Sequence, residues 1–406
     1  MKNMIFLLAG LILLATVAGA QPTVNVSGGG TDKIGNALAA NAATGGTIVI
    51  DDSQTYTETQ EMFLGPRYNA TDGRRGFHIR AAAGQSPTIV LDGGGFFAYA
   101  GSADAGIGSN AGGRITIDCS DGVISAAGTG MIWYIGQENE LASGQACRVT
   151  FENLEIQGGD CANIIAFGAG GNDTAPNTTN AGFDIRNCVL RGSHTQLAHL
   201  FGVPNDYAST INIEDSFLLN YLAQDSGGYA IHLGAYQLSS PNAVINIDRT
   251  VFYNDPSTAG PFESNTILGR TNGQIYIDHC DIVNEADPLA QGGSGVARAV
   301  ALLDVGTCII TNSIVRGDVG VANFGSWDAQ LNDSNLSATA VQNNNFTLTN
   351  TIDEWPVYLA YGANPLASNA WVVDTQTQSA THGPSPLLGS QGAEPPLNRV
   401  LHWELY

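Results

Sequence analysis

Eight times between residues 115 and 353 the chain repeats one short phrase: two apolar residues separated by one, a polar pair, then another apolar residue. It reads ITIDCS at 115–120, VTFENLEI at 149–156, FDIRNCVL at 183–190, INIEDSFL at 211–218 and INIDRTVF at 245–252. It returns as IYIDHCDI at 275–282, CIITNSIV at 308–315 and FTLTNTID at 346–353. With Ser120, Leu154, Cys188, Ser216, Thr250, Cys280, Ser313 and Thr351 taken as equivalent, the steps are 34, 34, 28, 34, 30, 33 and 38. A period in this range belongs to solenoids, propellers and arrays. The phrase alternates with period two, which makes it a strand, and no helical pattern separates its copies. A strand returning once per unit without helices predicts an all-β chain of stacked parallel coils, ~4.8 Å apart.

Residues 1–20 have the form of a signal peptide: Lys2 in the n-region, an apolar core from Ile5 to Val17, and Ala18-Gly19-Ala20 before Gln21-Pro22. The run is short for a membrane span and no second apolar stretch follows. The expectation is therefore an exported chain, secreted or held at a cell surface. Net charge is −22, and Lys33 is the only lysine beyond Lys2. Such a balance excludes a nucleic-acid partner and an anionic membrane surface, both of which need a basic footprint. It also disfavours a polyanionic substrate unless metal ions bridge the two.

Six cysteines in an exported chain favour disulfides. Read pairwise they are Cys119/Cys147, Cys161/Cys188 and Cys280/Cys308, separated by 28, 27 and 28 residues. Each separation is close to one coil, so the expectation is three bridges clipping adjacent coils. The alternative is buried thiols within the stack.

Residues 21–50 read as an N-terminal cap and first strand. Thr31 caps a predicted helix over Asp32–Ala43, with Ile34, Ala37, Leu38 and Asn41 along one side, before Gly45-Gly46 and the strand Thr47–Ile50. An amphipathic helix over the first coil closes the open end of a solenoid. Coils are expected over 51–360, with longer insertions that build a binding face. The proline-rich segment 361–406 is expected to cap the other end.

The segment Thr31–Ile50, a helix followed by GGTIVI, resembles the opening of the right-handed parallel β-helix proteins, the superfamily of pectate lyases and many bacterial surface proteins. Gly227–Leu233 ahead of INIDRTVF resembles the alternation of large adhesin-like members, and Thr381–Leu388 is similar to the close of surface-anchored ones. The resemblance implies a right-handed parallel β-helix along nearly the whole mature chain. It does not select a function, because this fold hosts lyases, hydrolases, tail spikes and non-catalytic adhesins.

Alternation sorts the strand residues by face. One outward column is read as Asp118, Glu152, Arg186, Glu214, Asp248, Asp278, Thr311 and Thr349. A second is read as Thr116, Thr150, Asp184, Asn212, Asn246, Tyr276, Ile309 and Thr347. Glu214, Asp248 and Asp278 fall on successive coils with no basic residue in their own column. Like charges at that spacing raise their own pKa values or recruit a cation, and calcium suits three carboxylates on an exported protein. Pectate lyases hold calcium on carboxylates of neighbouring coils, and Ile277-Asp278-His279-Cys280 resembles their strand motif. The plainer alternative is a set of solvated strand residues.

Elimination from a uronate also needs a base. Arg249, Arg270, Arg298 and Arg316 are available, with Arg270, Arg298 and His232 as the candidates, and none of the arginines sits in the superfamily's arginine-proline motif. A hydrolase is less favoured, since the paired aspartates and Arg-x-Lys of polygalacturonases are missing. His279 takes the corner position that Asn153, Asn187, Asn312 and Asn350 fill in other coils, while His194 and His199 read as loop residues. Tyr207, Tyr229 and Tyr236, with Tyr221, Tyr253 and Phe262, are read as insertion aromatics available to stack on sugar rings. Two functions follow as expectations. The first is a secreted or surface scaffold, adhesin-like, meeting an extracellular polysaccharide or cell-surface partner. The second is a calcium-assisted polysaccharide lyase.

Overall fold

The computed structural model describes residues 22–65, 76–99, 105–119, 131–137, 147–158, 163–169, 181–191, 196–201, 210–220, 229–234, 244–254, 264–270, 274–284, 297–302, 307–311, 313–316, 319–323, 340–342, 345–347 and 355–359. Their strands form three parallel sheets of eleven, eleven and ten members, called A, B and C below. Each coil after the first gives one strand to each sheet in chain order. Thus Val244–Asp248 lies in A, Val251–Asn254 in B and Ser264–Arg270 in C. The chain is a parallel β-solenoid. The expected signal peptide and the segment 361–406 lie outside the described residues.

Side-chain alternation puts one large apolar residue of each sheet A strand into the lumen. Phe151, Ile185, Ile213, Ile247, Ile277 and Ile310 stand in register on successive coils. All six are buried. The column continues upward through Ile107, not through Ile117 as the repeat implies. Ile115–Asp118 is a sheet B strand, in register with Leu154–Gln157. The matching sheet A strand, Ala105–Ser109, carries two glycines and one large apolar residue, so its sequence hides it. At the other end Asn345–Thr347 also joins sheet B, and Ala340–Gln342 is the strand in A. Asp118, Thr116 and Thr347 therefore leave their assigned columns. Thr349 and Thr351 lie outside the described residues. Two sheets that alternate alike cannot be told apart by alternation, which is why the phase slips at both ends.

The capping helix forms over Lys33–Ala40, shorter than predicted, with Ile34 and Leu38 buried. The first coil begins before it: Thr23–Val26 and Gly30–Thr31 pair into sheets A and B. The helix stands where that coil's sheet C strand would be, so sheet C has one strand fewer. Thr31 is a strand residue, and Asp32 takes the N-cap position at φ 52° without a side-chain cap bond. The cap comes instead from Glu58 of the next coil, whose Oε1 and Oε2 accept the backbone N–H groups of Ile34 and Gly35, each at 2.9 Å. Burial pushes the Glu58 carboxyl above its usual range while the two bonds pull it back.

Between sheets A and B the chain turns through one residue in the left-handed region. Asn153, Asn187, Asp215, Arg249 and His279 hold this corner with φ between 45° and 53°. The next residue is buried, Leu154 on the first of these coils and a small Cys, Ser or Thr on the other four. Ser216 Oγ, Thr250 Oγ1 and Cys280 Sγ each donate to the carbonyl two residues back, at 2.6, 2.9 and 3.1 Å. The hydroxyls of Ser216 and Ser313 accept the N–H groups of Cys188 and Cys280 one coil earlier, at 3.1 and 3.0 Å. At these two levels one coil satisfies the corner of its neighbour, and the turn cannot shift there without orphaning buried donors.

This ladder overturns the expected disulfides. Cys119, Cys188 and Cys280 are buried thiols. Cys308 is in register with Ile275, three strand steps of ~3.3 Å and a corner away from Cys280, beyond the ~7 Å Cα separation a disulfide spans. Cys147 begins a sheet A strand in register with Ala181, whereas Cys119 follows a sheet B strand. Cys161 lies outside the described residues. The near-constant separations reflect the coil period, not bridge geometry. Burial pushes the Cys188 thiol up to about 12 and the Cys280 thiol well above its usual range. Alkylation of the native protein should therefore spare Cys119, Cys188 and Cys280, and denaturant should expose all three. Recovery of a Cys280–Cys308 peptide by non-reducing mass mapping would contradict the register.

Candidate functional site

The outward face of sheet A gathers most of the described charged side chains whose partners are defined. Alternation fixes its members: Arg148, Thr150 and Glu152 on one coil, then Asp184 and Arg186, Asn212 and Glu214, Asn246 and Asp248, Tyr276 and Asp278. The six central copies of the repeat keep the phase expected of them, so these columns stand as read.

Two glycines let arginines lie flat across this face. Arg80 Nη1 passes Gly108 to reach Glu152 Oε2 at 2.6 Å, and a Cβ at Gly108 would stand 3.2 Å from that nitrogen. Arg148 crosses Gly182 to clamp Asp184, with Nε–Oδ2 at 2.8 Å and Nη2–Oδ1 at 2.5 Å. Asp184 is almost buried, yet it stays fully bonded, because Asn212 Nδ2 also donates to its Oδ1 at 2.6 Å. Asn246 Nδ2 donates in turn to Asn212 Oδ1 at 2.9 Å. The result is a ladder along the solenoid axis, Arg148–Asp184–Asn212–Asn246, made of bidentate and amide hydrogen bonds.

Beside it runs the carboxylate row. Glu214, Asp248 and Asp278 are in register on three adjacent coils, as the alternation predicts. Their charge is less exposed than their own column suggests, because the corner residues reach back toward them. Arg249 binds Asp215 of the previous coil, Nε–Oδ1 at 2.7 Å and Nη2–Oδ2 at 3.1 Å, and also contacts Asp248 through Nη1. His279 Nδ1 lies 3.0 Å from Asp278 Oδ2, with both side chains nearly half exposed. Partial burial pushes the Asp248 carboxyl up; Arg249 opposes this and Asp278 reinforces it. The hydrogen bond to Asp215 raises Arg249 further above its usual range, so it persists as a guanidinium.

The remaining candidates lie elsewhere. His232, Arg270 and Arg298 sit on strands of sheet C, on another side of the coil from the carboxylate row. His199, expected in a loop, is on a sheet C strand in register with His232. Tyr229 is also on sheet C; Tyr207, Tyr236, Tyr221, Phe262 and His194 lie outside the described residues. Tyr253 is a strand residue packed with Val189, Phe217, Leu219 and Val251 on the outer side of sheet B. The sequence offers Arg249 only as an available base; its pairing with Asp215 and Asp248 is what the sequence reading missed. Its signal was present in the alignment itself, since Arg249 follows Asp248 where His279 follows Asp278.

The ligand-capable atoms of Asp248, Asp278 and His279 all lie within 4.8 Å of one another, and Glu214 falls outside that group. Among the described residues no helix is long and apolar enough to cross a membrane. No protein-family model matches the chain, and no curated protein matches it.

Proposed function

We propose that the chain is an exported β-solenoid scaffold, adhesin-like, that presents the outer face of sheet A to extracellular carbohydrate. The observation that carries this reading is the polar ladder Arg148–Asp184–Asn212–Asn246, a line of hydrogen-bonding side chains held on four successive coils. An extended glycan laid along the axis of these four coils meets polar side chains at the sheet spacing, ~4.8 Å. The groups sit on strands whose register is set by the core, so little ordering cost accompanies binding. Export rests on the form of residues 1–20.

A panel of immobilised neutral and charged polysaccharides tests it. Retention of the wild-type chain on at least one of them, lost at least tenfold when Asn212 and Asn246 are both changed to Ala in a chain that circular dichroism shows still folded, is the expected result. No retention on any glycan, or retention indifferent to the two changes, removes this reading.

The lyase reading has less support. Its candidate bases Arg270, Arg298 and His232 are on sheet C, and Arg249, which does adjoin the carboxylate row, is held protonated by Asp215. Calcium-dependent growth of ultraviolet absorbance from unsaturated uronate products would reinstate it.

A further inference from the structure

We propose that Asp248, Asp278 and His279 form a binding site for a divalent transition-metal ion of the zinc type, a property separate from glycan binding. On this face Glu152 is answered by Arg80, Asp184 by Arg148, and Asp215 and Asp248 by Arg249. At Asp278 the corner carries an imidazole instead, and an imidazole, unlike a guanidinium, gives up its proton and becomes a ligand. Ligands held ~2.1 Å from one zinc ion at right-angle to tetrahedral geometry stand ~3.0–3.4 Å apart. His279 Nδ1 and Asp278 Oδ2 are 3.0 Å apart, so the pair already has the spacing of two ligands on one ion. Asp248 supplies the third group from the preceding coil, in register with Asp278. Arg249 engages Asp248 through Oδ2, which leaves Oδ1 to turn toward the ion, and it retains Asp215 as a partner.

The donor set decides the class of metal. Calcium takes six to eight oxygens and has little use for a ring nitrogen. One imidazole nitrogen with two carboxylate oxygens suits zinc and its neighbours in the first transition row, with the remaining coordination positions open to water or a ligand. The ion would tie two coils together at a corner and reduce the charge of the row. This site differs from the calcium site expected from the carboxylates alone in one ligand, His279 in place of Glu214, and in its ion.

Thermal melting of the full chain tests the proposal, with zinc chloride, calcium chloride or chelator added, alongside cobalt(II) titration followed by its visible absorption bands. The wild-type melting temperature should rise by roughly 3 °C or more once zinc exceeds its dissociation constant about a hundredfold, and millimolar calcium should not reproduce the shift. His279→Asn should abolish both the zinc shift and the cobalt bands. Asn holds the same left-handed corner at 153 and 187, so the metal-free variant should melt no lower than the wild type. A wild-type chain indifferent to zinc, or a zinc shift equally large in His279→Asn, overturns the proposal. So does a calcium shift that Asp248→Asn removes and His279→Asn leaves intact, since that pattern belongs to a site of carboxylates alone.

Discussion

Replacing Ile247 with Asp should leave the chain unable to fold, with the product recovered as insoluble or protease-sensitive material. Ile247 is buried in the lumen column, in register with Ile213 above and Ile277 below. A carboxylate at that point is desolvated without compensation, and the residual option of protonating it still loses the packing of a large side chain. Ile247→Val, which removes one methylene, should cost only about 1 kcal/mol. One residue along, Asp248→Asn should be tolerated, because its side chain faces solvent and Arg249 keeps Asp215. Far-ultraviolet circular dichroism and limited proteolysis of the three variants separate these outcomes. Equal damage from Ile247→Asp and Asp248→Asn would mean that the faces have been exchanged.

The second large effect is expected at Gly182. A Cβ there would stand 2.0 Å from the carbonyl oxygen of Thr210 on the adjacent strand and 3.3 Å from Arg148 Nη1. The first atom is backbone and cannot move without parting Ala181–Arg186 from Thr210–Glu214. Gly182→Ala should therefore cost about 3 kcal/mol, at the upper end of overpacking, and release the Arg148 clamp on Asp184. Gly84→Ala is the informative comparison. Gly84 has φ of +74° and nothing within 4 Å of a built Cβ, so only backbone strain of about 1 kcal/mol is at stake. A melting curve in which the two substitutions are equally mild would show that the strands separate more readily than their register implies.

The central coils were legible because their sheet A strands keep one grammar: an inward apolar residue, an outward one, a second inward apolar residue, a polar or charged outward one, then the corner. Phe151 through Ile310 stack as the alternation requires, and so do the outward residues from Glu152 to Asp278. The phase was lost at Ala105–Ser109, where glycines replace the apolar beat and leave the neighbouring sheet B strand as the louder signal. Cysteine spacing misled for a related reason. A 28-residue separation matches the length of a coil along the chain, while a bridge depends on position within the coil, and Cys308 and Cys280 differ there by a corner. The carboxylate row was found, but its neutralisation was not. Column reading compares residues of like position, and Arg249 acts on Asp248 from the corner column beside it while also binding Asp215 within its own. The helix cap was invisible for the same reason, since Glu58 belongs to a later coil than the helix it serves.

The corner itself fixes a backbone angle and leaves the side chain undetermined. Asn, Asn, Asp, Arg and His occupy it on five successive coils while φ stays between 45° and 53°. A residue outside the Asn/Asp pair pays roughly 1–2 kcal/mol for that conformation, a fixed charge that does not depend on what its tip does. Shape and chemistry are therefore inherited separately along this edge. The molecule carries a row of interchangeable sockets at a pitch of ~4.8 Å, into which a designer can write a chosen series of side chains with the buried ladder behind it untouched.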